Sequence, residues 1–319
     1  MSEAEETRAG GRDPQPFLDA HAHFWDLGGD RYPWLCQPGV IPFRYGDYSP
    51  IKTSFLPDDY RGLAAGFTLA GVVHIEAKFD PDDPLAETRW LEGLAAETGL
   101  PTVCVGHVRM EAPEAGAVLT GHAESPLIRG VRSFPTASEE PREAVRGAPG
   151  SMDDPAYRET MPILAGLGLS LDIQVAWWHL DALAALAADF PQVQIVLNHS
   201  GLPADRSPEG LAGWRAAMAQ AAAQDNVALK ISGLGIKGRP WRLEDNAPVI
   251  REALAIFGTG RCCFASNFPV DSLVGSYETI VAGFRAATRE LEPPAVAALF
   301  HDNAARLYRV GRSKGRLAS

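Results

Sequence analysis

The stretch Phe17-Leu18-Asp19-Ala20-His21-Ala22-His23-Phe24-Trp25 is a short apolar run that ends in two histidines one residue apart. In an extended strand, side chains two residues apart share a face, so His21 and His23 stand together at the strand's C-terminal end with ring nitrogens able to converge. Such a pair suits a metal ion or a polarised oxygen, and it also suits a turn cap beside a packed imidazole. The rest of the chain decides between these uses.

Outward from that stretch, short β-rich apolar runs alternate with helical patterns. Candidate strands fall at 17–21, 70–76, 102–107, 128–132, 170–174, 194–198, 227–232 and 262–266, and helical periodicity at 84–97, 113–122, 156–165, 180–189, 210–223 and 247–257. Eight βα units predict an α/β fold, a single (β/α)8 TIM barrel with long loops over its C-terminal mouth. The competing open doubly wound sheet finds less support, because no strand runs into a GxGxxG or Walker-type loop. The expected organisation is a polar tail at 1–15, the barrel at 16–310 and a basic tail at 311–319.

The 319 residues are 46% hydrophobic and 22% charged, ordinary values for a globular protein, and no apolar run approaches the roughly 18 residues of a membrane span. Residues 1–15 lack the apolar core of a signal peptide, so the cytoplasm is the expected compartment. A net charge of −11 opposes binding to nucleic acid or an anionic membrane, while leaving room for a local cationic pocket. Cys36, Cys104, Cys262 and Cys263 have no CxxC spacing and read as reduced core residues. A homo-oligomer is compatible with all of this.

In such a barrel the chemistry sits at the C-terminal ends of the strands. Those ends carry His21 and His23, His74 and Glu76, His107, Arg132, Asp172 and Gln174, Asn198 and His199, Lys230 and Ser232, then Ser266 and Asn267. A purely structural barrel interior would be Val, Ile and Leu, since unpartnered buried charge is costly. A shared polar site is therefore expected. Two irregular stretches follow strands: 27–57, an active-site loop bearing Asp30, Tyr32, Trp34, Arg44, Tyr45 and Tyr48, and 133–154, a surface loop or a lid.

The segments HAHFW (21–25), IVLNHSGLP (195–203), KISGL (230–234), FASNFPVD (264–271) and HDNAARLY (301–308), in that order, resemble the amidohydrolase-related family of metal-dependent hydrolases. Within it they look most like the branch of sugar-lactone and muconolactone-type lactonases. The resemblance implies that His21, His23 and His199 form a metal-binding or carbonyl-polarising set, for which zinc or manganese is the expected ion. It also implies an eighth-strand aspartate as metal ligand and base, in a segment like SDWP, but this chain has Asn267 there. A neutral amide cannot serve as a base near pH 7, so a metal-free site is the alternative expectation.

Glu76 and Asp271 are the candidate replacements, with Glu76 preferred because Asp271 has a competing use as a helix cap. Together with Asn267 and His199 they make up the expected catalytic group. Trp25, Arg132, Gln174, Trp177, Trp178 and His179 are the expected substrate contacts, Arg132 pairing with a substrate carboxylate. The expected activity is hydrolysis of a small carboxylated or hydroxylated lactone or ester, anionic in character, by water activated at the histidine cluster. The alternatives are nonhydrolytic decarboxylation of an aromatic or unsaturated acid, and a binding protein on a decayed enzyme scaffold.

Overall fold

Eight parallel strands, β1 (Asp13–Ala22), β2 (Phe67–Ile75), β3 (Val103–His107), β4 (Ile128–Ser133), β5 (Ser170–Ile173), β6 (Ile195–Leu197), β7 (Val227–Ile231) and β8 (Cys262–Phe264), follow one another around one sheet in chain order. The structure is a computed structural model and describes residues 13–311. Each strand leads to helical segments on the outside, among them Ala86–Thr98, Ala115–Glu124, Leu180–Asp189, Pro208–Ala222, Leu243–Phe257 and Tyr277–Ala287. This is the expected (β/α)8 TIM barrel.

The two ends of the sheet meet at the mouth. Asn267 N–H donates to His21 O over 2.7 Å, and His23 N–H donates to Phe268 O over 2.8 Å. Beneath them the buried Asp19 carboxylate accepts from Ser266 N–H (2.8 Å) and His21 N–H (3.2 Å), and its other oxygen accepts from Tyr60 O–H (2.6 Å). The seam that joins β1 to the β8 end is thus built from the histidine stretch itself.

Strand β1 starts at Asp13, so residues 13–15, expected in the tail, belong to the sheet. Asp13 N–H donates to Gly66 O over 3.0 Å, and the Asp13 carboxylate pairs with Arg285 at 2.8 Å. The rest of the expected tail at 1–12, and 312–319 at the other end, lie outside the described residues.

Leu18, Ala20, Val73, Ile75, Val103, Val105, Val196, Ala228, Cys263 and Ala265 fill the barrel interior together with Tyr308 from the C-terminal segment. Tyr308 O–H donates to both oxygens of Asp172 at 3.0 Å, which gives the closing HDNAARLY segment a packing role. A register shift between Asp19 and Ala22 lets consecutive residues Ala20 and His21 both face inward. The four cysteines are free thiols, and among the described residues no helix is long and apolar enough to cross a membrane.

Candidate active site

A cavity of about 300 Å³ opens over the mouth, lined by His23, Trp25, Lys78, Arg132, Gln174, His199 and Asn267 from the strand ends, and by Trp34, Phe43 and Arg44 from the 27–57 loop. That loop is fixed in place by a bridge between Trp25 and Phe55, by Trp34 Nε1–H donating to Ala77 O (2.9 Å), and by Tyr48 O–H donating to Trp34 O (2.9 Å). Lys78, His199 and Asn267 all adopt left-handed backbone conformations, with φ of 54°, 54° and 56°. Three non-glycine residues strained in this way, each just beyond a strand end, mark the cavity wall as a place where side-chain aim outweighs backbone comfort.

The histidines converge as expected: ring centres of His21 and His23 lie 5.0 Å apart, and those of His21 and His199 4.6 Å apart. His23 Nδ1–H donates to Ile75 O over 2.7 Å, which leaves its Nε2 lone pair free. Burial, reinforced by the Arg132 charge, holds the His23 ring down to about 3, so it is neutral near pH 7. Burial and the surrounding cations likewise hold His21 and His199 well below the usual imidazole range. His199 Nδ1 is hydrogen-bonded to Ser232 Oγ at 2.9 Å.

The carboxylates are already engaged. Glu76 is fully buried, with Arg132 Nε–H donating to its Oε1 (2.7 Å) and Lys78 N–H to its Oε2 (2.8 Å). Burial alone would raise the Glu76 carboxyl, but the Arg132 guanidinium and His107 pull it down to about 2, and Glu76 is not among the residues that line the cavity. Asp271 Oδ1 accepts from Asn267 Nδ2 (2.5 Å), Tyr45 O–H (3.1 Å) and Arg44 Nη2 (3.2 Å). It is buried and holds the Asn267 amide in place; it does not cap a helix. Asp172 pairs with Lys230 at 2.7 Å beneath the site and accepts from Asn198 Nδ2 at 2.9 Å.

This donor set does not fit a metal centre. Among the described residues no group of three or more His, Cys, Asp or Glu side chains is arranged to hold an ion. Arg132 Nη1 stands 3.4 Å from His21 Nε2, and Glu76, Asp172 and Asp271 are each paired with a cation. A divalent ion at His21, His23 and His199 would stand beside the Arg132 guanidinium with no free anionic ligand to offset that charge.

The expected substrate contacts divide. Trp25, Arg132 and Gln174 line the cavity, whereas Trp177, Trp178 and His179 do not. Trp177 packs on the helix Pro208–Ala222 at Gly213, where any larger residue would collide with it. Trp178 Nε1–H donates to Ser138 O (3.1 Å), and His179 Nε2 accepts from Ser138 N–H (2.9 Å), so both fasten the 133–154 loop. His74 is structural too: its Nδ1 accepts from Phe24 N–H (3.1 Å) and its Nε2 faces Glu87 (3.4 Å). Sequence reasoning missed Lys78 and Phe134 as cavity residues, and it named Arg44 only as a loop member.

A family model described as amidohydrolase matches residues 18–310. An uncharacterized protein of Sinorhizobium fredii, y4mH, is 40% identical over 92% of this chain and 98% of its own. An L-fucono-1,5-lactonase of Burkholderia ambifaria is 29% identical over 93% of this chain and 97% of its own. An amidohydrolase of Burkholderia multivorans, solved with bound zinc, superposes with a TM-score of 0.74 at 25% identity, covering 92% of this chain and 99% of that one. The fold, the order of the motifs along it and these likenesses agree: the chain belongs to the amidohydrolase family and is a hydrolase.

Proposed function

We propose that the protein hydrolyses a small lactone in the mouth cavity, with a neutral imidazole accepting the proton of the attacking water. The observation that carries the reading is His23: its Nδ1–H is committed to Ile75 O, and its ring lies on the cavity wall with a free Nε2. The lactonase names of relatives such as the Burkholderia ambifaria protein support the substrate class.

Asn267 gives one N–H to Asp271, which fixes the amide so that its carbonyl oxygen is an acceptor able to orient a water at the wall. The water oxygen attacks the lactone carbonyl carbon as one of its protons passes to His23 Nε2. Negative charge develops on the carbonyl oxygen beside Arg132, a cation on the same wall. Collapse of the tetrahedral intermediate breaks the ring C–O bond, and the proton on His23 goes to the departing alkoxide, releasing the hydroxy acid. A ring held at about 3 is a weak base, which suffices for a reactive lactone because the water becomes acidic only as the new C–O bond forms.

The test is product analysis by acid release with a panel of aldono-lactones, carboxylated lactones and aromatic acids, run for the native enzyme and for His23→Gln. Lactone opening by the native enzyme and a loss of about 10²-fold or more in the variant are expected. Decarboxylation of an aromatic acid without lactone opening, or an undiminished His23→Gln enzyme, would overturn the reading.

A further inference from the structure

We propose that Arg44 is the anchor for a single carboxylate on the substrate, so that the lactone taken by this site is a monoanion. This rests on the lactonase reading above for the word lactone, and on separate observations for the anion.

Arg44 lines the cavity with its side chain only partly exposed, and its Nη1 has no hydrogen-bond partner among the described residues. A buried guanidinium N–H left unpaired is costly unless a ligand completes it. The rest of the group is held for that purpose. Nη2 donates to Asp271 Oδ1 (3.2 Å), and the guanidinium carbon lies 4.6 Å from the centre of the Tyr45 ring. Against its other side runs the backbone at Gly233, where a Cβ would fall 2.7 Å from both terminal nitrogens and 2.8 Å from His199 Nδ1. Arg44 and His199 therefore share one glycine-lined wall, which puts the anchor beside the reacting end of the cavity.

Charge bookkeeping points the same way. The lining includes three cations, Lys78, Arg132 and Arg44, and no Asp or Glu, in a chain whose net charge is −11. Behind the wall, Glu76 compensates Arg132 and Asp271 compensates Arg44, while the Lys230–Asp172 pair cancels within itself. Lys78 Nζ, 4.6 Å from the centre of the Phe134 ring, forms no salt bridge among the described residues, and the Glu76 charge that acts on it is the one already paired with Arg132. One of the three lining cations is left without an ion pair of its own, matching one substrate carboxylate held between the Arg44 guanidinium and Lys78. Arg132, expected at the sequence level to take the substrate carboxylate, is instead occupied by Glu76.

The experiment compares a carboxylated γ- or δ-lactone with its carboxamide, for the native enzyme, Arg44→Lys and Arg44→Gln. The native enzyme should favour the carboxylate by roughly 10- to 100-fold in kcat/KM, carried mostly in KM and weakening with salt. Arg44→Gln should lose at least about 10-fold more on the carboxylate than on the carboxamide, with Arg44→Lys between the two. In parallel, calorimetry measures binding of tetrahydropyran-2-carboxylate and its amide, which need not be hydrolysed. Carboxylate binding that falls in Arg44→Gln without any lactone turnover would sink the lactonase reading and keep the anchor. Lactone turnover in which native enzyme treats acid and amide alike, or equal losses on both in Arg44→Gln, would sink the anchor and keep the lactonase. Should Arg44→Gln fail to fold, the native acid-to-amide ratio and its salt dependence still decide the matter.

Discussion

Asn267 Nδ2 donates to Asp271 Oδ1 over 2.5 Å, so the residue standing where the family pattern has an acid is oriented by an acid four residues further on. Replacing Asn267 with Asp would put two carboxyl groups at that separation, and like charges so close cannot both ionise near neutral pH. Burial already raises Asp271, with Arg44, Asn267 and Tyr45 opposing it.

For Asn267→Asp, therefore, the folded state retains a proton that the unfolded state gives up near pH 4. A carboxyl raised by folding contributes its stability below the unfolded pKa and loses it as pH rises through the folded value. The gap in melting temperature between native and variant protein should widen from pH 5 to pH 8. A gap that is constant across that range would show that the two side chains do not share a proton.

Glu76 was the preferred acid-base residue on sequence grounds, and its contacts give it another role. With Glu76→Gln, Arg132 is left as a buried charge without its partner, a lesion on the order of 3–5 kcal/mol. Chemical denaturation should register a loss of that size, and Arg132→Met should recover part of it in the double variant. A Glu76→Gln protein of native stability that is catalytically dead would restore Glu76 as the general base.

How much of this could be read from the chain depends on the range of the interaction. All eight strands were legible because short apolar runs, turn residues and helical periodicity are local, and His21, His23 and His199 were legible because strand ends in this fold point to one mouth. Arg44 was not, since nothing near it in sequence says that a residue in a long irregular loop will meet Asp271, 227 positions away. Trp177, Trp178 and His179 failed for the opposite reason: an aromatic cluster after a strand looks the same whether it faces a ligand or fastens the neighbouring loop at Ser138. The pairing of Glu76 was not legible either, because its partner Arg132 lies on another strand and is invisible in the local pattern.

Acid should unfold the protein through its buried imidazoles. His23 and His74 are held to about 3 in the folded state, mainly by burial, and His21 and His199 well below the usual value. Each takes up a proton on unfolding between pH 6.5 and its folded value, so stability rises with pH across that window and is lost on acidification. The slope approaches roughly 1.4 kcal/mol per pH unit for each such histidine. Urea unfolding at pH 7.5, 6.5, 5.5 and 4.5 should show it, and His23→Asn should lower the number of protons taken up by about one. Stability independent of pH from 7.5 to 5 would mean that these rings are not held neutral.

Gly233 and Gly238 separate strain from site geometry. Both have left-handed backbones, with φ of 61° and 73°, so alanine at either costs roughly 1–2 kcal/mol of backbone energy. At Gly238 a Cβ meets nothing within 4 Å. At Gly233 it would meet Arg44 and His199 at under 3 Å, and neither can retreat freely: Arg44 is held by Asp271 and stacked on Tyr45, while His199 is bonded to Ser232. Displacing both moves the anion-binding group and an imidazole of the cluster together, and misplacement by about 1 Å can cost on the order of 10²-fold in rate. Gly238→Ala should therefore lose stability with kcat/KM nearly unchanged, whereas Gly233→Ala should lose stability and about 10²-fold in kcat/KM. Equal activity in the two variants, measured on the best lactone of the panel, would place Arg44 and His199 outside the working site.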